Sequence, residues 1–81
     1  MTRYFFDTRD DALAFSDELG ISMQSLIEAQ LEAARCIVEM AKDVVPRSVA
    51  RDLEVTVRDE TGRQLIRATL NFKIEKSHSV L

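Results

Sequence analysis

The sequence is poor in the residues that carry most catalytic and metal-binding chemistry. Its 81 residues include one histidine, one cysteine and no tryptophan. A single cysteine excludes an intrachain disulfide, and one cysteine with one histidine cannot complete a structural zinc site, which needs four ligands. We interpret Cys36 as a packing residue on a helix and His78 as a solvated residue near the chain end, so neither is a catalytic candidate.

Glycine and proline are also scarce. The two glycines, Gly20 and Gly62, both stand in turn sequences, so the chain has no glycine-rich phosphate loop. Carboxylates are plentiful, but they stand in pairs at turns and along one side of a helix, which is their ordinary place in a folded domain. We therefore predict that the chain is not an enzyme, that it has no catalytic or metal-binding residues, and that it needs no cofactor.

An excess of positive charge is missing as well. Lys and Arg number 11 against 14 Asp and Glu, for a net charge of −3. Nucleic-acid-binding domains usually carry the opposite balance, because they neutralise phosphates, so nucleic acid is a disfavoured partner. No apolar run approaches the roughly 20 residues of a membrane span. Together with the single cysteine and the absence of a secretion signal at residues 1–7, this predicts a cytoplasmic protein without membrane contact.

What the sequence does contain is a β-hairpin in its last third. Residues 53–58 and 65–74 alternate apolar and polar side chains on either side of the turn sequence Asp59–Gly62. A four-residue loop there would place Val55 opposite Ile66 and pair apolar with apolar side chains. In that register the end of the second arm extends past its partner and needs another cover, at residues Leu70, Phe72 and Ile74.

An amphipathic helix precedes the hairpin. Ser25 and Glu28 have the spacing of a capping box, which predicts the helix start, and Pro46 predicts its end, because proline lacks the amide that the helix needs. Between them, apolar residues recur at helical spacing over about five turns. The expected sheet-facing stripe consists of Ile27, Leu31, Ala34, Val38, Ala41 and Val45, widened by Ala33, Ile37, Met40 and Val44.

The N-terminal third predicts two short strands, at residues 3–7 and 12–16, followed by a turn at Asp17–Gly20. The expected fold is therefore α+β, in the order β-β-α-β-β: a four-stranded, mostly antiparallel sheet with one long helix packed on one face. We expect a single domain over residues 1–76 and a flexible C-terminal tail at 77–81. The order of the strands in the sheet stays open.

The uncovered sheet face offers the most interesting surface. Strand alternation places Phe5 and Leu65 on this face, beside the cations Arg67 and Lys73. An aromatic ring near cations can stack on nucleic-acid bases, and the same residues can contact a second copy of the chain. With the extended part of the last strand, the candidate interaction surface comprises Phe5, Leu65, Arg67, Leu70, Phe72 and Lys73.

Three segments of the chain carry distinctive strand and turn sequences: Arg3–Asp7, which reads Arg-Tyr-Phe-Phe-Asp, Asp17–Gly20, and Val57–Arg63. With these segments the chain resembles a family of small bacterial domains of unknown function. That family opens with Arg-Tyr-Phe-Phe and Asp or His, carries a D-x-x-G turn before its helix, and closes with a D-x-x-G-R hairpin. One departure is Asp11, near which the family often has glycine, so a looser first turn is expected. The resemblance implies a fold and no catalytic residues.

Three functions follow from these observations. The first is a small non-enzymatic protein-interaction module, forming a homodimer through a sheet edge or the open sheet face and serving an unidentified protein partner. The second is a nucleic-acid-associated regulator that uses the open sheet face. The third is an acidic inhibitor that blocks a basic cleft of another macromolecule.

Overall fold

The computed structural model describes residues 1–77, which form five strands, one α-helix and one 3₁₀ turn. In chain order these are β1 (Thr2–Asp10), β2 (Leu13–Phe15), β3 (Ile21–Met23), α1 (Leu26–Val44), the 3₁₀ turn (Val45–Arg47), β4 (Ala50–Arg58) and β5 (Gln64–Lys73). The α+β class, with one long helix against an antiparallel sheet, is confirmed. The predicted tail at 77–81 lies outside the described residues except for Ser77.

All strand pairs are antiparallel, and the sheet order is β2-β1-β4-β5. The far end of β1 also pairs with β3, whose Ile21 lies opposite Tyr4. The predicted count of four strands was therefore wrong by one, since β3 has three residues and is too short to show an alternating pattern. Strand β5 lies at one edge of the described sheet.

The turn between β1 and β2 is tighter than the sequence predicted. Asp11 adopts a positive φ of 53°, a conformation that aspartate tolerates better than most residues. Its amide donates to the Asp52 carbonyl at 2.8 Å, and its carboxylate accepts from the Asp52 amide at 3.0 Å. Asp11 thus takes the place of a turn glycine and anchors β1 to β4, which corrects the expectation of a looser turn.

The predicted helix start with Ser25 as its cap is confirmed, and the return bond of Glu28 goes to the residue before the cap. Ser25 Oγ accepts from the Glu28 amide at 3.2 Å, and Glu28 Oε1 accepts from the Gln24 amide at 2.9 Å. At the other end the α-helix stops at Val44, and Pro46 lies within the 3₁₀ turn, as the missing proline amide requires.

The core lies between α1 and the middle of the sheet. Two alanines of α1, Ala29 and Ala33, are fully buried, and their small side chains let the helix approach β4 closely. The α1 contacts concentrate on β4 and, less densely, on β5. The buried residues are Tyr4, Ala29, Ala33, Ile37, Leu53, Val55 and Val57.

The predicted sheet-facing stripe of α1 was rotated away from the true one. Ile27, Leu31 and Val38 were placed in its centre, yet their side chains are 71%, 56% and 53% exposed. At 100° per residue the apolar residues of α1 span roughly 220° of its circumference, and one sheet covers only part of that arc. Periodicity shows the arc, but it does not show which part of it the sheet covers.

The hairpin register also differs from the predicted one, by two residues. The turn closes with the Asp59 amide donating to the Arg63 carbonyl at 3.0 Å, which shifts the pairing by one residue. A bulge after Gln64 shifts it by one more. Because the total shift is even, every side chain on the regular part of the hairpin keeps its predicted face. The observed pairs include Val57↔Ile66, Val55↔Ala68 and Leu53↔Leu70.

The predicted overhang of the last strand was wrong. With the corrected register and a longer β4, Phe72 lies opposite Arg51. Beyond it the Ile74 amide donates to the Val49 carbonyl at 2.7 Å. Strand β5 is therefore paired with β4 along its whole length, and only its outer edge lacks a neighbouring strand among residues 1–77.

The rotated helix face can be tested with two adjacent alanines. We expect Ala33→Leu to lower the free energy of unfolding by about 1–3 kcal/mol, because the added side chain has no room against β4. Ala34→Leu, on the exposed side of α1, should change the free energy of unfolding of the monomer by less than about 0.5 kcal/mol. Urea unfolding at two protein concentrations measures both and separates any effect of self-association. Equal destabilisation by the two variants would contradict the observed orientation.

Candidate functional site

Phe5 lies on the sheet face away from α1, as predicted, but its ring is covered. The Arg58 guanidinium carbon lies 4.6 Å from the ring centroid, which is the geometry of a cation–π contact. From another side the loop after β2 approaches so closely that a Cβ on Gly20 would stand 2.9 Å from Phe5 Cε2. The ring is half-buried between protein groups and does not offer a free stacking surface.

Asp17 holds that loop against the sheet. Its Oδ2 accepts from the Phe6 amide at 3.0 Å, which ties the loop to β1. Its Oδ1 accepts from the Leu19 and Gly20 amides, both at 3.1 Å, which fixes the turn that follows. Gly20 has a positive φ of 70°, so glycine suits both the backbone and the close approach to Phe5.

Arg58 joins the same cluster from β4. Its Nε donates to Asp7 Oδ2 at 2.8 Å, and its Nη2 donates to the Asp17 carbonyl at 2.7 Å. Asp7 in turn accepts from the Asp17 amide at 2.8 Å. We call Phe5, Asp7, Asp17, Gly20 and Arg58 the loop-anchoring cluster.

The electrostatics of the cluster favour a charged Asp17. Partial burial raises the pKa of Asp17, but the amides of Phe6, Gly20 and Leu19 and the Arg58 charge outweigh it and lower that pKa overall. A carboxylate so fully engaged is a weak proton acceptor, and its oxygens already have partners. The arrangement can hold the loop in place, and the residues that carry the family resemblance lie in or beside it.

The predicted cations of the open face already have acidic neighbours. Arg67 forms an ion pair with Glu54, and Glu54 also pairs with Arg9. Lys73 Nζ lies 2.9 Å from Glu75 Oε1. A phosphate group would have to compete with these carboxylates, so the face has neither a free ring nor an unpaired cation at the predicted positions.

The prediction that Leu65 lies on the open face was wrong. Leu65 lies at the bulge between the turn and the regular part of β5, where the pairing steps from Arg58↔Gln64 to Val57↔Ile66. Its half-buried side chain packs against the core. The alternation of the sequence could not show this, because a bulge changes the face of the residue that it contains.

Leu70 and Phe72 belong to a different and largely apolar surface, on the helix side of the sheet. They form one wall of an open groove of about 400 Å³, and the last two turns of α1 with Pro46 form the other. Next to the groove runs the exposed apolar side of α1. We define the α1–β5 surface by its apolar residues: Ile27, Leu31, Ala34, Val38, Ala41, Val45, Leu70 and Phe72.

Sequence reasoning included Leu70 and Phe72 in the candidate surface but missed the helix residues. Leu31 and Val38 carry the helical periodicity that normally marks a core face, and they were assigned to the core for that reason. The signal that pointed the other way was the width of the apolar arc, which exceeds what one sheet face covers.

The described residues offer little reactive chemistry elsewhere. Burial raises the pKa of the Cys36 thiol, and the Glu32 carboxylate raises it further, so the thiol is held in its unreactive form. Within residues 1–77 no three or more His, Cys, Asp or Glu side chains come together as metal ligands. In the same range no helix has the length and apolarity to cross a membrane. His78 lies outside the described residues.

These contacts define a small α+β domain in which the loop-anchoring cluster holds the β2–β3 loop against the open face of the sheet. The chain belongs to the family described as a domain of unknown function, DUF6894, whose family model matches residues 3–71. The resemblance noted from the sequence is confirmed at the level of a family of unknown function. Neither the curated proteins nor the solved structures gave a match.

The anchoring role of Asp17 predicts a pH-dependent contribution to stability. At neutral pH we expect Asp17→Asn to cost about 2 kcal/mol, because the amide NH₂ would face a backbone donor. The lowered pKa of Asp17 means that its contribution is present above about pH 4 and is lost as the pH falls through the folded-state value. The free energies of unfolding of parent and variant should therefore converge as the pH falls below about 4. Glu18→Gln, at the exposed neighbouring residue, is the control. Its free energy of unfolding should stay close to that of the parent over the same pH range.

The two glycines provide a matched pair of variants. Both have positive φ, but a Cβ at Gly20 would meet Phe5 and Arg3, whereas a Cβ at Gly62 would meet no atom within 4 Å. We expect Gly62→Ala to cost about 1 kcal/mol for its backbone alone and Gly20→Ala at least about 2 kcal/mol. Thermal unfolding measures both, and equal losses would show that the loop does not press on Phe5.

Proposed function

We propose that this domain is a non-enzymatic, cytoplasmic protein-interaction module that self-associates as a homodimer through the α1–β5 surface. The observation that carries the proposal is the exposed apolar side of α1. Leu31, Ala34 and Val38 follow one another along the helix and face solvent beside an apolar groove. An exposed apolar surface that continues over several elements is typical of a protein–protein contact.

The position of the surface favours a second copy of the chain as the partner. The exposed side of α1 and the unpaired edge of β5 lie on the same side of the molecule, because Val38 and Leu70 line the same groove. A two-fold axis along that side would cover both features in both copies at once, as the isologous contact of a symmetric dimer does. Among the charged residues of α1, Lys42 borders the groove, where it forms a salt bridge with Glu39, and Glu32 pairs with Arg35.

Nothing in the geometry adds support to the two other functions. A nucleic-acid regulator would use Phe5 and Arg67. Arg58 covers the ring of Phe5, and Arg67 is paired with Glu54. An acidic inhibitor would present a cluster of unpaired carboxylates, whereas Asp7 and Glu54 are each bound to arginines. The apolar α1–β5 surface has no role in either function.

The proposal is tested by the solution mass of the protein and of one charged variant. Light scattering on a sizing column should find twice the 9.2 kDa chain mass for the parent. Leu31→Glu keeps a good helix former at an exposed site but places a charge in the contact. It should raise the dissociation constant by about 30-fold or more, since the loss of a central contact costs about 2 kcal/mol.

Leu19→Glu is the matched control, because Leu19 is also an exposed leucine but lies in the loop on the other side of the sheet. Its mass should equal that of the parent. A monomeric parent at micromolar concentrations would contradict the proposal, and so would a Leu31→Glu variant that stays as dimeric as the control.

A further inference from the structure

The unpaired edge of β5 has a regular pattern of backbone groups. The Ile74 amide points to β4, since it donates to the Val49 carbonyl. In an antiparallel strand the amide and carbonyl of one residue point to one neighbour and those of the next residue point to the other. The residues that direct both groups outwards are therefore Arg67, Thr69, Asn71 and Lys73.

Such an edge is a template for pairing with another strand. Edge strand β5 has ten residues, whereas β2, at the opposite edge, has three. The groove and the exposed side of α1 flank the β5 edge, so a strand added there would also bring apolar side chains against Leu70 and Phe72. An added β5 from a second copy would bring its own α1 to the same face of the joined sheet.

We infer that two copies pair through their β5 edges, antiparallel, with Thr69 opposite Thr69 of the partner subunit on the two-fold axis. This inference rests on the proposed self-association and specifies how it is built. It produces one continuous sheet with both α1 helices on one face. The helices lie at most about three strand spacings apart, roughly 14 Å, which is close to the 10–12 Å width of a helix.

The register follows from the bulge and from the charges. The regular part of β5 that lies clear of the bulge begins at Ile66. Pairing centred on Thr69 aligns residues 66–72 in full and places Ile66 opposite Phe72, and Arg67 opposite Asn71. Centring on Leu70 would put Arg67 opposite Lys73, and like charges directly opposite each other are destabilising. Centring on Ala68 would run into the bulge after only five regular residues.

The side chains on the helix-covered face of the sheet also fit this register. In the pairing centred on Thr69, Ala68 stands opposite Leu70, so small meets large beneath the two helices. Val38 lines the groove beside Leu70, and Ala34 lies one turn of α1 before Val38. That places Ala34 and Val38 nearest the axis, where the exposed sides of the two helices meet.

Disulfide formation tests the register directly. In a Cys36→Ser background, Thr69→Cys should form a disulfide-linked dimer on copper–phenanthroline oxidation, because opposed residues of a hydrogen-bonded pair have Cα atoms about 5.5 Å apart. Asn71→Cys is the matched control. Two copies of residue 71 would lie about 13 Å apart along the strands and should stay unlinked.

Hydrogen exchange provides a second readout that needs no new cysteine. The outward amides of Arg67, Thr69 and Asn71 should exchange slowly in the parent dimer and rapidly in the Leu31→Glu monomer. The inward amides of Ala68 and Leu70 should be protected in both, because they bond to β4. This pattern, with disulfide formation at 69 and none at 71, is the expected result.

The outcomes separate the pairing from the proposed function. A dimeric parent whose outward β5 amides exchange as fast as those of the monomer would overturn edge pairing and leave self-association standing. Protected outward amides with linkage at 71 and none at 69 would overturn the register. A monomeric parent would overturn both the proposed function and this inference.

Discussion

One helix about 10–12 Å wide covers only about two strands of a sheet, and this constraint determines which strands are buried and which apolar side chains stay exposed. Buried Ala29 and Ala33 bring α1 close to β4, which makes β4 the most deeply buried strand, with Val55 and Val57 inaccessible to solvent. The helix cannot also cover the outer side of β5. A surface of apolar side chains is therefore left exposed between the helix and the sheet edge.

The second organising feature is the combination of turn and bulge that keeps the apolar side chains of β5 on the helix-covered face of the sheet. A turn closed on Asp59 and Arg63 changes the pairing by one residue, which alone would turn every apolar side chain of β5 towards solvent. The bulge at Leu65 adds a further shift and restores the parity. Turn and bulge therefore act together: the core side chains of β5 face α1, and the bulge limits the length of edge that a second strand can pair with.

On the open face of the sheet a loop, and not a helix, provides the cover. The loop after β2 folds over Phe5 and is held by Asp17 and Arg58, so the aromatic ring that suggested base stacking is part of an internal contact. The segments that resemble the family lie in or beside this cluster. In this chain they join the ends of β1 and β4 and the β2–β3 loop.

Local patterns in the sequence determined the α+β class, the bounds of α1 and the hairpin, because capping, proline and two-residue alternation act within a few residues of one another. The capping pair Ser25–Glu28 and the turn at Gly62 are of this kind. Tertiary structure alone decided which side of α1 is buried, the register of β5 and the cover over Phe5. The buried side of α1 and the cover over Phe5 depend on contacts between residues distant in the sequence, and an apolar stripe such as Leu31–Val38 satisfies the helical pattern equally well inside or outside the core. The register depends on the turn closure and the bulge, which two-residue alternation does not show.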